Sequence, residues 1–308
     1  MSEKGMSVST KRSVNDHTGF ASLHPMVLFI FYLGLFLFAI LFLHPVFLIV
    51  SLLAVILLTF MYDQGKSFKR TWYFFLFMAL VVLVVNPLIS QRGATILFYL
   101  FDRPVTLESM VYGVTMMLSL LTLLIGFMSY QAVMTEDKFL YLFSSMVPKV
   151  ALLAVLSIRF VPLLKRRLSE IIAVQWTRGV RMNQGTWKER ATNGMKILNI
   201  LLTWSLEEAL QTADSMKSRG YGVGRRSSFF TFTMDRRDRI VLVLLMVLLM
   251  VSLGGLAGGY GKLTIYPEVE PLFVQGVEWI YFLCFCLYHL VPILVEGREW
   301  LVWRSLKS

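Results

Sequence analysis

Charge disappears from this sequence for long stretches. No Asp, Glu, Lys or Arg occurs across residues 21–62, a run interrupted near its middle by His44-Pro45. A bilayer core takes about 20 apolar residues per helix, so this run predicts two helices, 26–43 and 45–62, joined by a tight proline turn. A third charge-free run covers 71–91 and ends near Asn86-Pro87, and a fourth covers 109–135. A further charge-free run covers 240–261, and a sixth apolar stretch, 271–295, carries one charged residue, Glu278. The pattern predicts an all-α membrane protein with about six transmembrane helices. An interfacial or cytoplasmic block of about three helices separates the fourth span from the fifth.

Composition sharpens this picture. Of the 308 residues, 56% are hydrophobic and 16% charged, yet the net charge is +11. A soluble domain keeps about a quarter of its residues charged, so the composition argues against an ordinary cytosolic enzyme. The charge is concentrated: residues 159–239 hold sixteen Lys and Arg against seven Asp and Glu, a net +9. Lys and Arg in short loops mark the cytoplasmic side. Lys4, Lys11 and Arg12 before the first span, Lys66, Lys69 and Arg70 after the second, and Arg298, Arg304 and Lys307 at the end all fall inside on this rule. The loop with Lys262, Glu268 and Glu270 falls outside. The expected organisation is a cytoplasmic tail at 1–25 without a cleaved signal, four spans in 26–135, a cytoplasmic block at 136–237, two spans in 238–297, and a cytoplasmic tail at 298–308. The cell membrane, bacterial or archaeal, is the expected location.

Residues 149–164 test this scheme, being apolar enough to span. A span there would put the basic block outside. The stretch is flanked by Pro148, interrupted by Pro162, and carries Arg159 on its apolar body, which describes a helix lying along a membrane surface or beneath a membrane partner. A second helix is expected from about Leu163 to Arg178. A third carries Met195, Leu198, Leu202, Leu206, Ala209, Ala213 and Met216 at helical period. Ser205 and Glu208 form a candidate capping box, which would break that helix near 204.

The second and third helices both close on Arg-Gly, in Thr177-Arg178-Gly179 and Ser218-Arg219-Gly220. Glycine just past a helix takes the left-handed conformation without penalty, and arginine in the last turn suits the negative end of the helix dipole. Either one alone reads as a C-cap. Repeated at the ends of two successive amphipathic helices, they place two guanidiniums at rigid tips, a geometry suited to bidentate pairing with carboxylates of a partner.

These residues resemble the T component of energy-coupling factor (ECF) transporters, the CbiQ/EcfT-like family. Ala173-Val-Gln175-Trp-Thr177-Arg178-Gly179 is similar to the family's first Ala-Arg-Gly motif. Ala213-Asp-Ser-Met216-Lys-Ser218-Arg219-Gly220-Tyr221 is similar to the second, more specific one. Arg159-Phe-Val-Pro162 and the 105–113 entry to the fourth span also match, and the resemblance covers roughly residues 20–255. The chain departs from the pattern where Thr177 and Ser218 replace the motif alanines. The resemblance implies a subunit joining two ABC-type ATPases to a small membrane substrate-binding subunit for vitamin or transition-metal uptake. Arg178 and Arg219 would dock into acidic grooves of the ATPases, with Ala173, Gln175, Ala213, Met216, Tyr221 and Arg159 supporting the coupling helices.

No nucleotide-binding motif is expected in the chain itself, so ATP and Mg would be bound by the partners. Gly255 to Gly261-Lys262 has the wrong spacing for a phosphate loop and is followed by Leu263. Gly220-Tyr-Gly222-Val-Gly224 follows a helix, not a strand. An ion-coupled carrier is the alternative class, with Glu278 and His289 as the candidate ionisable groups inside a span, but they stand about 16 Å apart along a helix and read better as an interfacial Glu and a satisfied His. A basic block that binds lipid headgroups or another partner is a third reading. Nucleic acid is disfavoured by the interleaved Glu170, Glu207, Glu208 and Asp214. Cys284 and Cys286 point to different helix faces, and His17, His24 and His44 are too scattered for a metal site.

Overall fold

The computed structural model describes residues 19–63, 66–90, 93–100, 103–144, 147–180, 185–224, 232–265 and 276–306. The basic residues of the N-terminal tail, together with Arg225, Arg226, Glu268 and Glu270, lie outside the described residues. The chain divides into two compact units, one formed by 1–139 with 232–308 and the other by 140–231.

In the first unit the helices are α1 (Pro25–Leu41), α2 (Pro45–Asp63), α3 (Lys66–Ile89), α4 (Leu107–Val133), the start of α5 (Glu136–Ser144), α8 (Arg236–Ala257) and α9 (Glu278–Leu306). Among the described residues four helices are long and apolar enough to cross a membrane: 68–89, 107–133, 236–257 and 278–298. Helices α1 and α2 are apolar but shorter. Seventeen residues of α1 rise about 26 Å, a few ångström less than a typical hydrocarbon core of about 30 Å. The fold is that of an all-α membrane protein.

Both short helices start the same way. His24 and His44 precede Pro25 and Pro45, and their Nδ1 atoms accept the backbone N–H of Met26 at 3.2 Å and of Val46 at 3.3 Å. Proline suits the first helical position because its missing donor would have been unsatisfied there. Burial pushes the His44 pKa below its ordinary value, although Glu278 opposes this, and the neutral ring is the form able to accept at Nδ1.

Helix α4 packs against α1, α2 and α3, α9 packs against α2 and α8, and α1 against α8. Aromatic rings fill the centre. Phe31 stacks on Tyr288 at 5.6 Å, and Phe38, Phe42, Phe47 and Phe285 meet at 5.0–5.3 Å. Polar groups inside this core are hydrogen-bonded across helices, as burial in hydrocarbon demands. Tyr32 bonds Ser129 at 2.8 Å, Ser119 donates to the Ala39 carbonyl at 2.6 Å, and the Tyr288 hydroxyl reaches the carbonyls of Ile30 and Phe31. His289, half of the ionisable pair read from the sequence, is held in the same way. Its Nδ1–H donates to the Phe285 carbonyl at 3.0 Å, leaving Nε2 to accept from Ser51 at 2.8 Å. Glu278 accepts from the Gly261 N–H at 2.9 Å. Each group thus has its own structural partner.

The segment before α1 is tied down by two buried charged side chains that sequence reasoning had not singled out. Lys138 donates to the carbonyls of Ala21 and Val133, and Glu296 accepts the N–H of Phe20.

A two-stranded hairpin was also not anticipated. Strands β1 (Ile96–Leu100) and β2 (Arg103–Thr106) pair antiparallel, with a register shift between Ile96 and Phe98. Thr106 then caps α4, accepting from the Ser109 N–H. Buried Glu108 reaches back to the hairpin's start, where Oε1 accepts from the N–H groups of Ala94 and Thr95 and from the Thr95 hydroxyl. The sequence signals were a β-branched and aromatic run bounded by Gly93 and Pro104.

The second unit contains α6 (Pro148–Thr177) and α7 (Trp187–Ser218). The expected division at Pro162 does not occur. Helix α6 runs through it for 30 residues, because a proline costs one backbone bond and a bend without forcing termination. Two long helices therefore form where three were read. Nor does α7 break near 204. Its capping box lies at Thr186 and Glu189, with Glu189 accepting from the Thr186 N–H at 2.8 Å, while the Ser205 hydroxyl donates back to Leu202. In the first unit α3 likewise passes through Pro87, and α9 continues to Leu306, through the segment read as a terminal tail.

Candidate functional site

The two arginines selected from sequence stand at equivalent points of two helices. Arg178 caps α6 with φ −86° and Arg219 caps α7 with φ −83°. The glycines that follow are left-handed, Gly179 at φ 81° and Gly220 at φ 79°. Both ends form the same double closure. At α6 the N–H of Val180 reaches the Gln175 carbonyl and that of Gly179 reaches Trp176. At α7 the N–H of Tyr221 reaches Met216 and that of Gly220 reaches Lys217. A Cβ on Gly179 or Gly220 would meet nothing within 4 Å. Glycine is needed here for backbone angle, since no neighbour in this chain crowds it.

Thr177 and Ser218, the departures from the motif alanines, are also equivalent. Their hydroxyls donate to the carbonyls three residues back, Val174 at 2.7 Å and Ser215 at 2.9 Å. They consolidate the last turn. The guanidiniums of Arg178 and Arg219 are exposed and pair with no carboxylate among the described residues. Each stands beside an exposed aromatic, Trp176 at 64% and Tyr221 at 45%.

The supporting residues divide. Ala173 and Ala213 are exposed, and Gln175 and Met216 are half-buried at the positions whose carbonyls close the two tips. Arg159 is exposed on α6 among Leu153, Val155, Ile158 and Val161, which are all exposed as well. The stripe read on α7 is real but faces away from α6. Met195, Leu198, Leu202 and Leu206 are 45–67% exposed, whereas Ile197 on another face is buried. Where α6 meets α7, the Arg167 guanidinium lies 4.8 Å from the centroid of the Trp204 ring and is held by Glu170 at 2.7 Å. Periodicity could not reveal that contact, which joins residues far apart in sequence.

Beside the first tip, Gly179, Gly185, Thr186, Lys188, Glu189 and Lys196 line a cleft of about 700 Å³ that is open to solvent. Among the described residues no group of three or more His, Cys, Asp or Glu gathers in a metal-holding arrangement. The arrangement is two equivalently closed helix ends whose guanidiniums have no carboxylate partner among the described residues, and helix faces carrying exposed apolar residues.

Fold and site together define an all-α membrane protein bearing two arginine-tipped helices. Residues 20–229 match the CbiQ family, described as cobalt transport protein, and the chain belongs to that family. Relatives named energy-coupling factor transporter transmembrane protein EcfT include that of Brevibacillus brevis, 36% identical over 108 residues, covering 34% of this chain and 40% of the relative. The Bacillus subtilis protein is 32% identical over 103 residues, covering 33% and 39%. That of Acidaminococcus fermentans is 30% identical over 172 residues, covering 52% and 62%. The match to the first two spans about two fifths of their length.

Proposed function

We propose that this chain is the transmembrane coupling subunit, or T component, of an ECF-type importer. It transmits ATP-driven motion of two cytoplasmic ATPases to a separate membrane subunit that binds the substrate, a vitamin or a transition metal. The observation that carries this reading is the pair of equivalently closed helix ends, each presenting an exposed guanidinium that has no carboxylate partner among the described residues. Such an end gives a fixed, charged knob, and an acidic groove on a partner supplies the missing carboxylate. Arg178 engages one ATPase and Arg219 the other. Gly179 and Gly220 set the backbone turn, Thr177 and Ser218 tighten it, and Trp176 and Tyr221 add apolar contact area at the rim of each knob.

The uncovered faces of α6 and α7 provide the other half of the link. Apolar surface of this extent calls for a cover, and the substrate-binding subunit supplies it. In this arrangement α1, α2, α3, α4, α8 and α9 make six passes, the two shorter ones by local adjustment of the bilayer. Residues 136–237 and both termini face the cytoplasm. ATP and Mg belong to the ATPases, and this chain catalyses nothing itself.

The test is co-purification. Wild-type protein should elute with ABC-type ATPases, and the Arg178→Ala, Arg219→Ala double variant should insert in the membrane but elute without them. Unchanged association in the double variant would remove the docking role.

A further inference from the structure

We propose that Arg167 on α6 and Trp204 on α7 form a pivot that sets the spacing of the two arginine tips, both acting as positioning residues. The proposal deepens the coupling role and rests on it for its functional consequence, though not for its geometry.

Helices α6 and α7 are 30 and 32 residues long, but their contact is thin. The buried residues described on them are Ala151 and Ile197, one on each. Interdigitated packing locks helices into discrete arrangements, and so little of it leaves their angle weakly fixed. The Arg167 guanidinium at 4.8 Å from the Trp204 ring centroid is within cation–π range. This attraction acts over the whole ring face, so it tolerates sliding and rotation while keeping the helices together. Glu170, one turn further along α6, holds the guanidinium in place. With both side chains about half exposed, that ion pair adds little stability, and its effect is orientation.

Both helices can also bend near this contact. Pro162 lies five residues before Arg167 and removes one backbone bond from α6. On α7 the hydroxyls of Thr203 and Ser205 flank Trp204 and donate back to Asn199 at 3.0 Å and Leu202 at 2.9 Å, a pattern that bends helices. Measured along the helices, the contact lies about 16 Å from Arg178 and about 22 Å from Arg219. A rotation of about 10° at the contact therefore displaces the tips by about 3 and about 4 Å along arms of that length. Small angular changes at Arg167 become docking-scale movements at the ends.

Spin labels at exposed Val174 and Lys217, with Cys284 and Cys286 replaced by Ser, report the separation of the tips in the purified full chain. The expected result is one dominant distance in the parent. Arg167→Gln and Trp204→Leu should shift and broaden it, while Arg167→Lys and Trp204→Phe, which keep a cation and a ring face, should retain most of its width. Distributions unchanged in both disruptive variants would overturn the pivot. In the assembled importer, Arg167→Gln should leave the ATPases bound but lower the substrate imported per ATP hydrolysed. Loss of ATPase binding in that variant would overturn the assignment by making Arg167 a docking residue. The distance measurement needs no ATPase, so failure of the docking role for Arg178 and Arg219 would show separately.

Discussion

Thr177 and Ser218 make the same hydrogen bond at the ends of two different helices, each hydroxyl donating to the carbonyl three residues earlier. This equivalence explains how the chain departs from the family's alanines without disturbing the arginines that follow. Both hydroxyls are exposed, where a hydrogen bond adds about 0.5–1.5 kcal/mol at most. The Thr177→Ala, Ser218→Ala double variant should therefore fold normally, losing at most about 1.5 kcal/mol of local stability per tip. If the proposed coupling role holds, it should also retain the ATPases on co-purification. Dissociation of the ATPases would mean that the hydroxyls themselves touch the partner.

The glycines should behave differently. Gly179 and Gly220 hold φ near +80°, a conformation that costs a residue with a Cβ about 1 kcal/mol. Alanine at either site meets no atom of this chain within 4 Å, so the whole effect is on the backbone. Gly220→Ala should leave the helix content of α7 intact but speed hydrogen exchange at the Tyr221 amide, which closes the tip on Met216. Asparagine, which tolerates the left-handed region better, should exchange at an intermediate rate. Equal rates for all three residues would show that the closure does not depend on glycine.

Much of this arrangement was legible in the sequence because it rests on local rules. Apolar runs and the two Arg-Gly ends each depend on a few neighbouring residues; helices form over the runs, four of them long enough to span, and α6 and α7 end at Arg178 and Arg219. The misplaced breaks in α6 and α7 have a common cause, which is that a local signal was allowed to terminate a helix. Pro162 was read as a stop, and Ser205 with Glu208 as a start, although a long helix absorbs one missing bond when its neighbours continue the period. The overlooked capping box at Thr186 and Glu189 carries the same Thr-x-x-Glu signature and was readable. The α7 stripe was read correctly as apolar, but periodicity does not say which apolar face meets which partner. Ile197 takes the buried place, and the stripe stays uncovered. The contacts of Arg167 with Trp204, Lys138 with Ala21, and Glu296 with Phe20 join distant residues through side-chain direction. A single sequence contains no signal for them.

Close approach in the membrane unit yields a further prediction. The Tyr288 hydroxyl occupies the space where a Cβ on Gly34 would project, and it donates to Ile30 and Phe31 on the same helix as that glycine. Gly34→Ala should force α1 and α9 apart and cost about 1–3 kcal/mol, the usual range for overpacking. Tyr288→Phe should cost about 1 kcal/mol by removing the hydroxyl. The ring carbon bearing that hydroxyl would still lie 2.7 Å from the new Cβ, so the double variant should recover only part of the loss from Gly34→Ala. Thermal unfolding of the four proteins in one detergent measures this. Strict additivity would mean that the two residues are not in contact.

His44 links the start of α2 to pH. Its Nδ1 accepts the Val46 N–H, and burial holds its pKa below 6.5 despite Glu278 nearby. The unfolded chain therefore takes up a proton at this residue before the folded chain does. By linkage, stability from this site is fully present above the unfolded value of about 6.5 and is lost as pH falls through that value towards the folded one. Protonation also converts Nδ1 from acceptor to donor, which ends its capping role. The expected outcome is a lower unfolding temperature at pH 5 than at pH 7.5 in the parent. In His44→Asn, which keeps a capping acceptor but cannot titrate, the drop should be smaller. His24 and the acidic groups titrate in both proteins, so the difference between the two slopes isolates this site. Identical slopes would show that His44 keeps its ordinary protonation in the folded protein.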